Sequence, residues 1–169
     1  MSEVFSFQDF VDAAKPVTTQ WEIVDDIVQQ VTGDCLHELD GYIDSVKKLF
    51  SDDSTNLSNE DLETIIFKIP LLLYWLTDPM EVIGVKEDIS NMMHQEKYRQ
   101  AFTELNGSIA NKKIQAETDS YEEELVNLIY SKSYKLVKAK VDMAFEIMQS
   151  AKKIMNKRVV ELEIDRRSN

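Results

Sequence analysis

SYEEELVNLIYSKSYKLVKAKVDMAFEIMQSAKKIMNKRVVELEID, residues 120–165, is the stretch whose reading decides the fold. Within it Tyr130, Tyr134, Val137, Val141, Ala144, Met148, Ala151 and Met155 recur at alternating steps of four and three, and Leu162 resumes the series after a break at Arg158. That is the seam spacing of helices that wind around one another, so the stretch reads as one continuous helix with an apolar strip. The rest of the helix carries Lys132, Lys135, Lys138, Lys140, Lys152, Lys153, Lys157 and Arg158, with only Asp142 and Glu146 between them. An apolar packing strip with a basic exterior thus sits inside a chain whose net charge is −12.

The remainder of the chain has to supply partners for that strip. With 169 residues, 43% of them hydrophobic, the chain can build a real core in a single ordered domain. Only 4 glycines and 3 prolines punctuate it, so its elements must be long, and long elements are helices. A single cysteine, Cys35, excludes an internal disulfide framework. Residues 1–10 have no basic region ahead of an apolar core, and the longest apolar run, Ile69–Leu76, is interrupted by Pro70. That run is well short of the roughly 18 residues of a membrane span, so the chain reads as soluble and intracellular. Charge is unevenly distributed: residues 1–94 hold five basic and nineteen acidic side chains, residues 95–169 fourteen and twelve. An acidic half and a basic segment can pair with each other, between subunits, or with separate partners.

Before residue 58 the pattern predicts a small helical cap made of three short helices. Lys15-Pro16 ends the first, Thr18 or Thr19 starts the second, and Gly33 closes it. Ser51–Ser58 is a polar loop, and Ser58 with Asp61 forms a capping box. A fourth helix follows, bent at Pro70, with Ile65, Ile66, Ile69, Leu72, Leu73 and Leu76 as the expected core. Asp78-Pro79 with Glu81 reads as the start of a fifth helix, Asn106-Gly107 as a stop, and residues 108–118 as a further helical piece. The fold class is therefore all-α: an acidic cap, residues 1–58, then a long antiparallel helical hairpin, residues 59–169. If the seam of the last helix is left uncovered within the chain, it predicts a homo-oligomer.

Candidates for chemistry are few. His37-Glu38 begins like a zinc-protease helix motif, but Gly41 stands where the second histidine belongs, and His94 is remote. Asp52, Ser54, Asn56, Ser58, Glu60 and Glu63 fall on calcium-loop positions, yet Leu57 replaces the required glycine. No phosphate-binding glycine loop can be built from these glycines. The sequence thus offers no catalytic residue, no metal ligand set and no cofactor motif, and the chain reads as a non-enzyme. Met92, Met93, Met143, Met148 and Met155 read as core filler.

The lysines of the last helix admit three readings: a solvated exterior, pairing with the acidic half, or a phosphate-contacting stripe. Lys132–Arg158 spans about 40 Å at 1.5 Å per residue, enough to follow a strand of nucleic acid.

A resemblance bears on that choice. Leu73-Tyr74-Trp75-Leu76 is followed by a helix ending in Lys97-x-Arg99, by Phe102 and by the Asn106-Gly107 break. Then comes Leu136-Val-Lys-Ala-Lys-Val-Asp142, and the run closes with Ser150-Ala-Lys-Lys-Ile-Met-Asn-Lys-Arg158. In order, spacing and charge placement, the chain from Thr64 onward resembles the UvsY-like recombination mediators of tailed phages. The resemblance implies a small, helical, oligomeric protein of the infected cell's cytoplasm. Such a protein binds single-stranded DNA, contacts the phage recombinase and its single-strand binding protein, and helps load the recombinase. The family's basic Lys-x-Arg element would map onto Lys97 and Arg99. With Lys112, Lys113 and the basic residues of the last helix, these are the expected DNA contacts. The alternative is an acidic helical protein-interaction module, a phage structural protein or an inhibitor of a host replication or transcription factor, with no affinity for DNA.

Overall fold

The computed structural model describes the backbone of residues 7–51 and 57–168 and the side chains of residues 22–50 and 57–167. Its elements are α1 (Phe7–Ser51), α2 (Asn59–Glu104), α3 (Ile109–Asp119) and α4 (Tyr121–Ser168). The architecture is all-α, and its centre is a hairpin of two helices of 46 and 48 residues, α2 and α4. Three contacts fix their antiparallel register: Arg158 Nη1 donates to Asn59 Oδ1 at 2.8 Å, Gly84 lies beneath the Tyr134 ring, and Ser90 Oγ donates to Asn127 Oδ1 at 3.3 Å. Helix α1 lies along the hairpin, antiparallel to α2 and parallel to α4, with Tyr42 beside Lys68 and Asp40 beside Lys140. No helix among the described residues is long and apolar enough to cross a membrane.

The core is a three-helix seam. Leu36, Leu39, Ile43 and Val46 of α1 meet Leu62, Ile65, Ile69, Leu76 and Ile83 of α2 and Val137, Ala144, Met148 and Ala151 of α4. Alanines at two α4 positions keep that helix close to its neighbours, because a larger side chain would hold the axes apart. Leu57 and Leu62 flank the α2 N-terminus and are both buried in the same cluster, the arrangement of a hydrophobic staple. The position at which a calcium loop needs glycine is thus a core anchor; Asp52, Ser54 and Asn56 lie outside the described residues. The capping box is present: Asp61 N–H donates to Ser58 Oγ, and Ser58 N–H donates to the Asp61 carboxylate, each at 3.0 Å. The Ser58 hydroxyl, 2.7 Å from the Asp61 carboxylate, and then the Ser58 N–H hold the Asp61 carboxyl below its usual range. Buried Thr32, Ser120 and Ser133 each donate to the carbonyl four residues earlier, so none is left unsatisfied.

The expected breaks differ from those observed. Helix α1 is one 45-residue element that runs through Pro16 and Gly33, and α2 runs through Pro70 and Pro79. Each proline removes one helical hydrogen bond; at Pro70 and Pro79 the burial of Ile69, Leu76 and Ile83 in the flanking turns outweighs that local cost. Pro70 faces solvent, where water can serve the carbonyl four residues earlier. Gly107, at φ +132°, makes the one described turn in backbone geometry that favours glycine, so Asn106-Gly107 is the stop that holds. The side chains of the first expected helix, which ends at Lys15-Pro16, lie outside the described ones. Among the methionines, Met148 is buried and Met155 half-buried, but Met92, Met93 and Met143 are exposed rather than core filler. Met92 and Met93 stand on the side of α2 turned away from the three-helix seam, and Met143 lies at the margin of the α1–α4 contact, beside Phe50.

Gly33 and Gly41 occupy helical positions, and a methyl group added at either would meet nothing within 4 Å. Gly33→Ala and Gly41→Ala should each stabilise the protein by about 0.5–1 kcal/mol, through unfolded-chain entropy and helix propensity. Thermal melts followed by circular dichroism check this; a lowered melting temperature in either variant would contradict the open geometry.

Candidate nucleic-acid interface

The basic residues singled out from the sequence fall in three places along the hairpin. Lys97, Arg99, Lys112 and Lys113 gather at the end where α2 turns into α3. Lys132, Lys135, Lys138 and Lys140 lie on the middle of α4, and Lys152, Lys153, Lys157 and Arg158 lie toward the end where α2 begins. From Asn59 to Arg99 along α2 is about 60 Å at 1.5 Å per residue, so the basic groups cover nearly the whole rod.

At the α2–α3 end the local chemistry follows from the turn. Ser108 caps α3, its Oγ accepting from Asn111 N–H at 3.4 Å, and the short helix folds back along α2. That brings Lys112 Nζ to 5.9 Å from the centroid of Phe102, whose ring stacks on Tyr98 with centroids 6.2 Å apart. Lys97 and Arg99 are exposed, and Lys113 forms only a 3.7 Å pair with Glu117 one turn along. An exposed pair of that kind is worth about 0.3–0.5 kcal/mol, so an incoming phosphate can displace it.

On α4 the rotation of the helix sorts the cations. Lys140 points toward α1, where its Nζ stands 2.7 Å from Asp40 Oδ1, and its charge also reaches Asp44. Asp44 is held below the usual carboxylate range first by its hydrogen bond and ion pair with Lys47, and further by Lys140. Lys140 therefore takes part in the α1–α4 contact. Lys135, Lys138 and Lys153 are exposed, as is Lys132, while Lys152 is half-buried. Lys157 is exposed with a 3.7 Å pair to Glu161 on its own helix. Arg158 is half-buried and is engaged by the neutral Asn59 amide. Exposed Asp142 and Glu146 separate the middle group from the end group, so the basic surface of α4 forms two patches rather than an unbroken stripe.

The seam residues have a different fate. Val137, Ala144, Met148 and Ala151 are buried against α1 and α2 of the same chain, and Tyr134, Val141 and Met155 are half-buried at the margin of that cluster. Tyr130 is half-buried with Lys86 Nζ 5.7 Å from its ring centroid. The short α2–α3–α4 connection holds α2 at high effective concentration beside α4, so the seam is satisfied within one chain. Leu162 is exposed, because α4 runs on past the start of α2.

The open groove at the α2–α3–α4 junction is lined by His94, Tyr98, Glu117, Tyr121 and Glu124, an acidic lining unsuited to phosphate. Among the described residues no cluster of histidine, cysteine and carboxylate groups could hold a metal ion. Cys35 is half-buried and its thiol donates to the Thr32 carbonyl at 3.1 Å; burial pushes its pKa up.

Sequence reasoning missed the outer side of α2. Phe67, Leu71, Tyr74, Trp75, Val82, Val85, Ile89 and Met92 are all more than half exposed. The signal was present as a second apolar spacing on the same helix as the core residues, hidden by the richness of the first. Compared with protein-family profiles, with characterised proteins and with solved structures, the chain matches none.

Proposed function

We propose that this protein is a non-enzymatic single-stranded DNA-binding accessory factor, a recombination mediator that helps a phage recombinase load on single strands coated by a single-strand binding protein. The observation that carries this reading is the exposure of Lys97, Arg99, Lys135, Lys138 and Lys153 along one rod, while the acidic α1 engages Lys140. Flexible lysines spaced over tens of ångströms suit a backbone whose phosphates lie in no fixed register. Lys112, beside the Phe102 ring, adds a further cation at the α2–α3 end. The order of motifs from Thr64 onward, which resembles the UvsY-like mediators, supports the same reading.

The test is a titration of a fluorescent oligonucleotide at low salt. Replacing Lys135, Lys138 and Lys153 by glutamine should weaken binding at least about tenfold, from the loss of three phosphate contacts. Lys140→Gln should weaken it little, since that ammonium already faces Asp40. No binding by the unaltered protein at low salt would end the proposal. A second reading draws support from α1, where Glu22, Asp26, Asp34, Glu38 and Asp44 are exposed. It is a protein-interaction module whose acidic side occupies a nucleic-acid-binding protein. It requires no DNA affinity, so the same titration separates the two.

A further inference from the structure

Helix α2 is apolar on two opposite sides, and the chain covers one of them. At 100° per residue, Leu62, Ile65, Ile69, Leu76, Ile83 and Ser90 lie on the covered side. Phe67, Leu71, Tyr74, Trp75, Val82, Val85, Ile89, Met92 and Met93 lie in an arc of about 100° whose centre is about 30° from the reverse of that side. Their exposures run from 51% to 78%. Together they present on the order of 1,000 Å² of apolar surface, beyond the largest patch of a typical monomer and comparable to the roughly 800 Å² per partner of a stable interface.

The geometry points to a second copy of this chain as the occupant, docked α2 to α2 in parallel. The spacing is the first argument. Phe67, Leu71 and Tyr74, then Val82, Val85, Ile89 and Met92, step by four and three, with Asp78 between the two runs. This is a second coiled-coil seam, with one four-residue stutter at its centre. Val82 and Ile89 fall on the β-branched positions that favour two strands, while at the stutter the two copies' Asp78 carboxylates face each other, a local cost that the flanking apolar runs have to outweigh.

Charge is the second argument. Glu63 and Glu81 flank one edge of the stripe, and Lys68 and Lys86 flank the other, each lysine five residues after its glutamate. Parallel pairing sets each edge against the opposite edge of the second copy, so Glu63 meets the partner's Lys68 and Glu81 meets the partner's Lys86. Antiparallel pairing would set like edges together. Lys68 and Lys86 now lie over the rings of Tyr42 and Tyr130, at 4.6 and 5.7 Å, at the margin of the stripe. In the parallel pair both α4 helices remain outside, and both α2–α3 turns stand at the same end.

The unaltered chain, measured by sedimentation equilibrium, should show twice its 19.6 kDa mass. Leu71→Glu with Val85→Glu, at positions exposed in the single chain, should weaken association about a hundredfold or more while helix content is kept. In a Cys35→Ser background, Val85→Cys should form a disulfide-linked pair under mild oxidation, since parallel register sets the two copies' residue 85 face to face. A monomer at all concentrations, an association indifferent to the glutamates, or crosslinking only between Val85→Cys and Tyr74→Cys chains would each overturn the proposal.

Discussion

Raising salt from about 50 to about 200 mM should weaken binding to a single-stranded oligonucleotide about a hundredfold. Single-stranded DNA gives a slope of about −0.7 per phosphate neutralised, and five exposed cations, Lys97, Arg99, Lys135, Lys138 and Lys153, set the number. The net charge of −12 repels the strand at long range and is screened by the same salt, which takes a little off the slope. Self-association through the outer face of α2 should change far less, because salt weakens its flanking Glu–Lys pairs, relieves the repulsion between two acidic chains and leaves its apolar centre unaffected. Fluorescence anisotropy for the DNA and sedimentation for the protein, over one salt series, measure both. Binding that ignores salt would remove the phosphate contacts from the account, whatever its affinity.

Ile69→Ala should destabilise the protein by about 3 kcal/mol, lowering the melting temperature by roughly 10 °C for a chain of this size. Ile69 has 0% of its surface exposed and sits at the centre of the three-helix seam, so truncation removes transfer free energy and leaves a cavity between long helices that relax poorly. Two residues earlier, Phe67 is 78% exposed. Phe67→Ala should leave the melting temperature of the dilute protein nearly unchanged and lower it only where the protein is concentrated enough to pair. Thermal melts of both variants at two concentrations test the two-sided reading of α2. Equal losses in the two variants at high dilution would mean that the helix is rotated about its axis from the orientation described above.

Much of the fold was legible because its signals are local. Few turn residues forced long helices, the seam in residues 120–165 marked α4 from end to end, and Ser58 with Asp61 marked the start of α2. The failures share one cause. Gly33, Pro70 and Pro79 are local breakers, and local penalties of about 1–3 kcal/mol per break are overruled when a helix is held along its length by neighbours.

The candidate site divides in the same way. Composition and spacing place the cations on α4, but Lys138 and Lys140 are two residues apart and differ only in what they face. One is exposed and the other is bound to Asp40, a distinction made by the rotation of α4 about its axis. The periodicity of residues 59–104 allows two apolar faces and says nothing about which is covered. The sequence by itself determined the all-α class, the extent of α4 and the sign of each surface, because these depend on spacing within a few turns; it divided α1 and α2 at breakers that the folded helices run through. The tertiary structure alone decided that the α4 seam closes within the chain and that an apolar face of α2 is left open. Three helices packed side by side cover one side of each, and the choice of side depends on contacts between residues far apart in the chain.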